Sequence, residues 1–133
     1  DPCRLGRQQG VYEAPRQLLA AVPGSDLVEM ERSGQDSVCC GTPGFIYCDG
    51  TSKQLQTQRL RGAEETGASK LVTACPKCLI HFNCAQNEDR RNQRPVPEIQ
   101  IEDLTVYMAD KLAEIEPPAS GSTEEVKPTG ESV

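Results

Sequence analysis

Five cysteines fall in three groups along the chain, with a spacing that could surround one metal centre. Cys3 stands near the start, the adjacent pair Cys39 and Cys40 lies further on, and Cys75 and Cys78 form a Cys-Pro-Lys-Cys motif. Thiolates are the ligands of structural Zn²⁺ sites and of iron–sulfur clusters. The spacing therefore predicts a thiolate-ligated metal centre built from these five residues.

The adjacent cysteines Cys39 and Cys40 indicate which kind of metal centre the thiols would bind. Consecutive side chains on an extended chain point to opposite faces, so Cys39 and Cys40 cannot easily bind one small ion together. Five thiols are also one more than tetrahedral Zn²⁺ or a four-cysteine cluster uses. Two diverging thiols can bind different metal atoms, so the pair favours a multi-iron centre. Gly41, which follows directly, allows a sharp backbone turn beside the metal face.

The composition of the 133-residue chain excludes several classes of protein. Its 20 acidic and 14 basic residues give a net charge of −6 and a pI near 4.8, which argues against nucleic acid or an anionic membrane surface as partner. No apolar run reaches the ~20 residues of a membrane-spanning helix, and the sequence shows no secretory signal pattern. Seven cysteines, an odd number, then favour a reducing, cytoplasmic compartment and a metal or redox role over structural disulfides.

Alternating strands and helices would bring the cysteine groups together. Strands are predicted over residues 27–30, 70–75 and 98–101. Helices are predicted over 11–22, 53–66 with Ser52 as cap and Gly67 after its end, 76–86 and 103–115, the last with Leu104, Met108 and Leu112 in the core. This order favours an α/β fold, a small three-layer-like module with a short parallel sheet and flanking helices. The cysteines then lie at strand-to-helix junctions, where α/β sheets bind ligands.

The domain boundaries follow from composition. Residues 1–115 form one cysteine-rich domain, and residues 116–133, rich in Pro, Gly, Ser, Thr and charge, are predicted to be disordered. Because the chain opens on Asp1 within the motif Asp-Pro-Cys, we expect it to be the C-terminal module of a longer subunit.

The motifs also carry a family resemblance. DPCRLGR, GVYEAPRQLL, VEMER, CCG and TGASKLVTACPKC, with their combined spacing, resemble the CCG domain, the cysteine-rich module of B- and D-type heterodisulfide reductase subunits and of related iron–sulfur oxidoreductase subunits. The resemblance covers roughly residues 1–113. It implies that the five cysteines ligate an iron–sulfur cluster of the [4Fe–4S] type. In heterodisulfide reductase this is a non-cubane cluster that cleaves a disulfide one electron at a time.

The resemblance implies a role inside an oxidoreductase complex, and two alternatives stay open. The module would move electrons to or from a disulfide or thiol, with ferredoxin-like, flavin or membrane cytochrome subunits as partners, which could hold it at the cytoplasmic face of the membrane. Alone it is expected to be inactive, since family members usually carry two modules. A structural Zn²⁺ docking domain is the first alternative. A metal-free thiol–disulfide exchanger using Cys75 and Cys78 is the second, but it leaves the adjacent pair unexplained.

Other polar residues near the motifs are candidates for supporting roles. Cys48 and Cys84 are weaker ligand candidates, interpreted first as small buried residues. In addition to Gly41, four side chains are candidates for interactions with the metal centre, namely Arg4, Arg7, Lys77 and His81. Arg4 and Arg7 could hydrogen-bond to cluster sulfurs or an anionic group, and Lys77 could offset cluster charge. His81 could deliver a proton to a leaving thiolate, although a hydrogen-bonded packing histidine is the simpler interpretation.

Overall fold

A computed structural model describes residues 1–41, 49–92 and 95–115. The regular elements in chain order are α1 (Glu13–Ala20), α2 (Gly50–Glu64), β1 (Lys70–Thr73), α3 (Pro76–Asn92), β2 (Gln100–Asp103) and α4 (Leu104–Ile115). A π-helical turn at Arg4–Gln8 and a 3-10 turn at Gly34–Asp36 precede α2. The predicted disordered tail, residues 116–133, lies outside the described residues.

The two strands pair in parallel and confirm the predicted α/β class. Lys70 is opposite Gln100 and Thr73 is opposite Asp103. Parallel neighbours need a crossover connection, and α3 provides it. Both strands form where the sequence predicts them, with ends shifted by about two residues.

The prediction of a strand over residues 27–30 is wrong. This stretch has no regular structure, and the sheet of the described residues consists of β1 and β2. A strand requires a neighbour to pair with its backbone N–H and C=O groups, and a stretch of four residues, three of them apolar, cannot specify one. Leu27 and Val28 are accordingly 44% and 51% exposed.

Helix α3 begins at Pro76 as predicted but continues to Asn92, past the predicted end at residue 86. Between Pro76 and Pro95 the sequence contains neither proline nor glycine, the two residues that most disfavour a helix. Gln86 is buried and donates from Nε2 to the carbonyl oxygens of Pro97 and Ile99, both at 3.0 Å. These bonds hold the segment before β2 against α3.

The core lies where α2 and α3 meet the sheet. Leu60 and Ala63 from α2 pack with Phe82 and Ala85 from α3 and with Ile99, and Cys40 and Cys78 join this cluster. Burying a side chain such as Leu or Phe contributes roughly 1.5–3 kcal/mol. The prediction that Leu112 is core is wrong, because it is 58% exposed. Two cysteines of the candidate centre are therefore part of the small core itself.

The start of α2 depends on Asp49 and not on Ser52 as predicted. The Asp49 side chain accepts a hydrogen bond from the Ser52 backbone N–H at 2.8 Å, and the helix begins at Gly50. A carboxylate in this position satisfies one of the free N–H groups of the first turn. Ser52 is instead fully buried.

No helix in the described ranges has the length and apolar character to cross a membrane.

Asp49 should make the stability of the fold depend on pH. Its hydrogen bonds, first with the Ser52 backbone, lower the pKa of the carboxyl below the ordinary 3.8. A lowered folded-state pKa contributes stability above 3.8, and this contribution is lost as the pH falls through the folded value. Asp49→Asn keeps a capping side chain, so between about pH 5 and about pH 3 it should lose less unfolding free energy than the wild type.

Urea unfolding at the two pH values measures this difference. Asp110→Asn on α4, which removes one exposed carboxylate, is the control. Equal losses for Asp49→Asn and the wild type would contradict the capping role.

Candidate metal centre

Cys75 and Cys78 are placed by the junction between β1 and α3. Cys75 directly precedes Pro76, the first residue of α3, and its carbonyl accepts the Leu79 N–H at 3.1 Å. Cys78 lies in the first turn and is buried. Free N–H groups and the helix dipole at this end favour negative charge, which suits thiolate ligands.

The Cys78 thiol approaches two other thiols at this junction. Cys40 and Cys75 both lie within hydrogen-bonding reach of the Cys78 side chain. The hydrogen bond with Cys40, burial and the negative charge of the neighbouring sulfurs raise the pKa of Cys78 far above the usual thiol value. A bound metal reverses this effect, because a coordinated thiol loses its proton. This packing of thiols suits a site that holds a cation.

The other two predicted ligands lie beside the same cluster. Cys3, Cys39, Cys40 and Cys78 line one narrow cavity of about 30 Å³ together with Val72 and Phe82. Cys3 is exposed and Cys39 is intermediate in exposure. Among the described residues, no three Cys, His, Asp or Glu side chains are arranged to hold a single metal ion. Ligands of a multinuclear cluster bind different metal atoms, so the donor set of five neighbouring thiols fits such a group.

The loop with Cys39 and Cys40 is fixed from both sides. Arg7 Nη2 donates to the carbonyl of Ser37 at 2.6 Å, which ties the segment after Cys3 to this loop. Gly41 has φ +79°, and a Cβ added there would lie 2.4 Å from the Ser52 carbonyl oxygen. The glycine is required both by its backbone conformation and by its approach to α2. Arg7 thus positions the ligand segments, while its predicted contact with sulfur stays a prediction.

The remaining candidates lie at different distances from the cluster. Cys84 is exposed and accepts a long hydrogen bond from Lys53 Nζ at 3.6 Å, so its interpretation as a buried residue is wrong. Cys48 lies outside the described residues. Lys77, which lies between Cys75 and Cys78 in the sequence, is half-buried. Arg4, which follows Cys3, is exposed. Their roles at the centre stay predictions.

His81 is held by a glutamine that the sequence analysis missed. The fully buried Gln56 places Nε2 2.9 Å from His81 Nδ1. This hydrogen bond to Nδ1 fixes the orientation of the imidazole ring. Burial, opposed by the nearby Cys40 charge, lowers the pKa of His81. This geometry favours a neutral, positioned histidine.

Gln56→Leu should therefore destabilise the chain. The substitution removes the hydrogen-bond partner of His81 Nδ1, and an unmade internal hydrogen bond costs about 1–3 kcal/mol. Gln54→Leu, on the exposed side of the same helix, is the matched control and should stay within about 0.5 kcal/mol of the wild type. Urea unfolding at neutral pH measures both. Equal stability of the two variants would contradict the role of Gln56.

A second missed residue is Arg59, which is 8% exposed and lines the cavity of the thiols. The positions of Gln56 and Arg59 follow a helical spacing that is visible in the sequence. The buried face of α2 repeats at helical spacing and consists of Ser52, Gln56, Arg59, Leu60 and Ala63. Three of these side chains are polar, so a search for an apolar stripe does not find the face.

Comparison with known proteins now decides the family. The family profile described as "Cysteine-rich domain", CCG, matches residues 1–83, which include all five predicted ligands. The chain belongs to the cysteine-rich CCG domain family. This confirms the resemblance drawn from the motifs. No solved structure matches the chain.

Relatives of this CCG chain carry names of iron–sulfur and reductase proteins. The D-type subunit of a CoB–CoM heterodisulfide reductase of Methanosarcina barkeri is 35% identical over 114 residues, 84% of this chain and 26% of the relative. A probable membrane-anchored ferredoxin of Chromohalobacter salexigens is 48% identical over 80 residues, 59% and 12% of the two chains. A probable iron–sulfur-binding oxidoreductase of Bacillus subtilis is 40% identical over 81 residues, again 59% and 12%. The chain thus spans about a quarter or less of their lengths.

Proposed function

We propose that this CCG domain holds an iron–sulfur cluster of the [4Fe–4S] type and serves as one redox module of a disulfide- or thiol-converting oxidoreductase. The ligands would be Cys3, Cys39, Cys40, Cys75 and Cys78. When bound, such a cluster supplies one-electron chemistry. The similarity to iron–sulfur and heterodisulfide reductase subunits supports this assignment.

One observation carries the proposal. The Cys78 thiol lies within hydrogen-bonding reach of both Cys40 and Cys75 near the carboxyl end of β1, and Cys3 and Cys39 line the adjoining cavity. Five thiols from three separate segments are more than one tetrahedral ion uses. A merely structural core would not need thiols at this strand-to-helix junction, because a few apolar side chains would pack there equally well.

The narrow cavity sets a condition on binding. A volume of about 30 Å³ holds little more than a water molecule, and Cys40 and Cys75 both approach the Cys78 thiol. A cluster would have to replace these contacts, so the cysteine side chains would have to turn outward to bind it. Arg7 and Gly41 would hold the backbone of the loop with Cys39 and Cys40 in place.

The overall reaction needs partners beyond this chain. Reduction of one disulfide consumes two electrons and two protons and yields two thiols, so an electron-carrying subunit must supply two electrons in succession. The relative named as a reductase subunit supports a multi-subunit setting. His81, held at Nδ1 by Gln56, is the candidate to pass a proton to a leaving thiolate.

Electron paramagnetic resonance of the anaerobically reconstituted chain tests the redox role. We expect a paramagnetic signal in one oxidation state whose shape changes when a small thiol is added, because the substrate sulfur would bind at the centre. A bound cluster whose signal stays unchanged with thiol and disulfide would contradict the substrate class. It would leave electron relay between subunits as the function.

A structural Zn²⁺ site is the second candidate, and one observation favours it. Cys40 and Cys75 both lie within hydrogen-bonding reach of the Cys78 thiol, and tetrahedral zinc needs four thiolates. Because these thiols are not arranged around a single ion in the described residues, their side chains would have to turn toward the zinc. Cys39 or Cys3 would complete the set and the fifth thiol would stay idle. The module would then act as a docking piece of a redox complex.

A further inference from the structure

Arg59 is a buried cation next to the candidate ligands. It lies on the inner face of α2, is 8% exposed, and lines the cavity with Cys3, Cys39, Cys40 and Cys78. Because Arg59 and Cys78 line the same cavity, a thiolate at Cys78 would be close enough to the Arg59 guanidinium to interact with it. A positive charge and a group of ligands thus share one buried site.

Arg59 has no carboxylate partner among the described residues. Its guanidinium donates from Nη1 to the Arg32 carbonyl at 2.8 Å, and the ion pairs of residues 1–41, 49–92 and 95–115 do not include it. Glu29 is the acid whose charge reaches it, but Glu29 is bound by Arg16 at 2.5 Å. Residues 42–48, which follow the adjacent cysteines, contain neither Asp nor Glu.

A buried guanidinium of this kind requires a counter-charge. Taking an ion out of water costs several kcal/mol unless an opposite charge compensates it. Burial indeed lowers the pKa of Arg59, and the neighbouring Arg32 charge acts in the same direction. Arginine nevertheless stays protonated in proteins. Asp1 also lines the cavity, but its carboxylate is bound by Arg16. The other groups of this lining that can become anionic are the thiols, which form thiolates when a metal binds.

We propose that Arg59 is the fixed positive charge that compensates the negative thiolate-ligated centre, strengthens its binding and raises its reduction potential. This inference rests on the proposed function. Reduction brings one electron from a partner subunit and adds one unit of negative charge beside Arg59, with no bond formed or broken. A neighbouring cation stabilises the reduced state more than the oxidised state. Arg59 would therefore act through its positive charge on the centre and would not need to contact the substrate.

The size of the effect follows from Coulomb's law. At an effective dielectric constant of about 20, removing a unit charge roughly 10 Å away changes an equilibrium by about tenfold. For a one-electron couple, tenfold in the reduction equilibrium corresponds to about 59 mV. The midpoint potential of Arg59→Met should fall by about this amount.

Three variants of the full 133-residue chain separate charge from packing. Arg59→Met removes the charge and keeps the apolar stem, and Arg59→Lys keeps the charge. Arg61→Met removes a charge from the exposed side of the same helix and is the matched control. After anaerobic reconstitution, iron and sulfide per chain are measured, and the midpoint potential is determined by a redox titration followed by EPR.

The expected result is a lowered potential in Arg59→Met, with Arg59→Lys and Arg61→Met close to the wild type. Loss of the cluster in Arg59→Met alone, with the metal-free chain still folded by circular dichroism, also supports the proposal. Equal potentials in Arg59→Met and Arg61→Met would overturn it. So would Arg59→Lys behaving like Arg59→Met, or both losing the cluster, because charge would then not be the cause.

Failure of the proposed function can be told apart from failure of this inference. If the wild-type chain binds zinc and no cluster, the redox proposal fails, but a zinc–thiolate centre is also anionic. Arg59→Met should then weaken zinc affinity about tenfold relative to Arg61→Met, since the same charge is removed. Equal zinc affinities of the two variants would overturn the role of Arg59 in that case.

Discussion

Replacing Cys40 by serine should reduce the iron bound per chain to less than about a tenth of the wild-type value. Cys40 is buried, contacts the Cys78 thiol and lines the cavity of the candidate centre. A serine hydroxyl fills nearly the same space but does not form a thiolate, so the core should stay packed while the centre loses a ligand. Iron and sulfide analysis after anaerobic reconstitution, with circular dichroism of the metal-free chain, measures both properties.

Cys84 offers the matched control for this experiment. It is a cysteine on α3 whose exposed side chain contacts Lys53 and does not line the cavity, so Cys84→Ser should keep the iron content of the wild type. Equal iron content in Cys40→Ser and Cys84→Ser would contradict the site.

Cys39→Ser then separates the two candidate centres. A multi-iron centre that uses both adjacent thiols should be lost in Cys39→Ser as well as in Cys40→Ser. A zinc site needs four thiolates of the five, so Cys39→Ser could leave it intact. Retained metal in Cys39→Ser, together with loss in Cys40→Ser, would therefore favour zinc over the multi-iron centre.

Gly41→Ala should lower the unfolding free energy by about 2 kcal/mol or more. The residue has φ +79°, where an L side chain is strained, and its Cβ would lie 2.4 Å from the Ser52 carbonyl oxygen. The clashing atom belongs to the backbone of α2 and cannot rotate away as a side chain could. The loop with Cys39 and Cys40 must shift, so we also expect weaker metal binding. Urea unfolding of the metal-free chain measures the loss.

Gly67→Ala isolates the two causes. Gly67 has a similar φ of +71°, but an added Cβ there meets no atom within 4 Å. The control should therefore lose only the conformational part, about 1 kcal/mol. If Gly41→Ala cost no more than Gly67→Ala, the close approach of the loop to α2 would not constrain the fold.

Local signals predicted the parts of the fold that local chemistry determines. Pro76 fixes the start of α3 directly after the strand ending near Cys75, and Gly67 takes the left-handed conformation after α2. The cysteines at this junction could be placed together because parallel strands present their carboxyl ends at one edge. The candidate site was therefore largely predictable from motif spacing and the order of elements.

The features that the sequence analysis missed depend on tertiary contacts. Residues 27–30 include three apolar side chains, but pairing requires a neighbour that no local signal specifies. Arg59 and Gln56 look like ordinary surface residues of a polar helix, yet both are buried against the cysteine loops and α3. Their burial follows from the small apolar content of the core, which leaves polar side chains to fill the space beside the candidate centre.

The most direct test of the central claim is the content of iron, acid-labile sulfide and zinc per chain after strictly anaerobic purification and reconstitution. We predict about four irons and four sulfides per chain, with zinc well below one. One zinc per chain without sulfide, unchanged after reconstitution with iron and sulfide, would contradict the iron–sulfur assignment and leave the structural zinc site in its place.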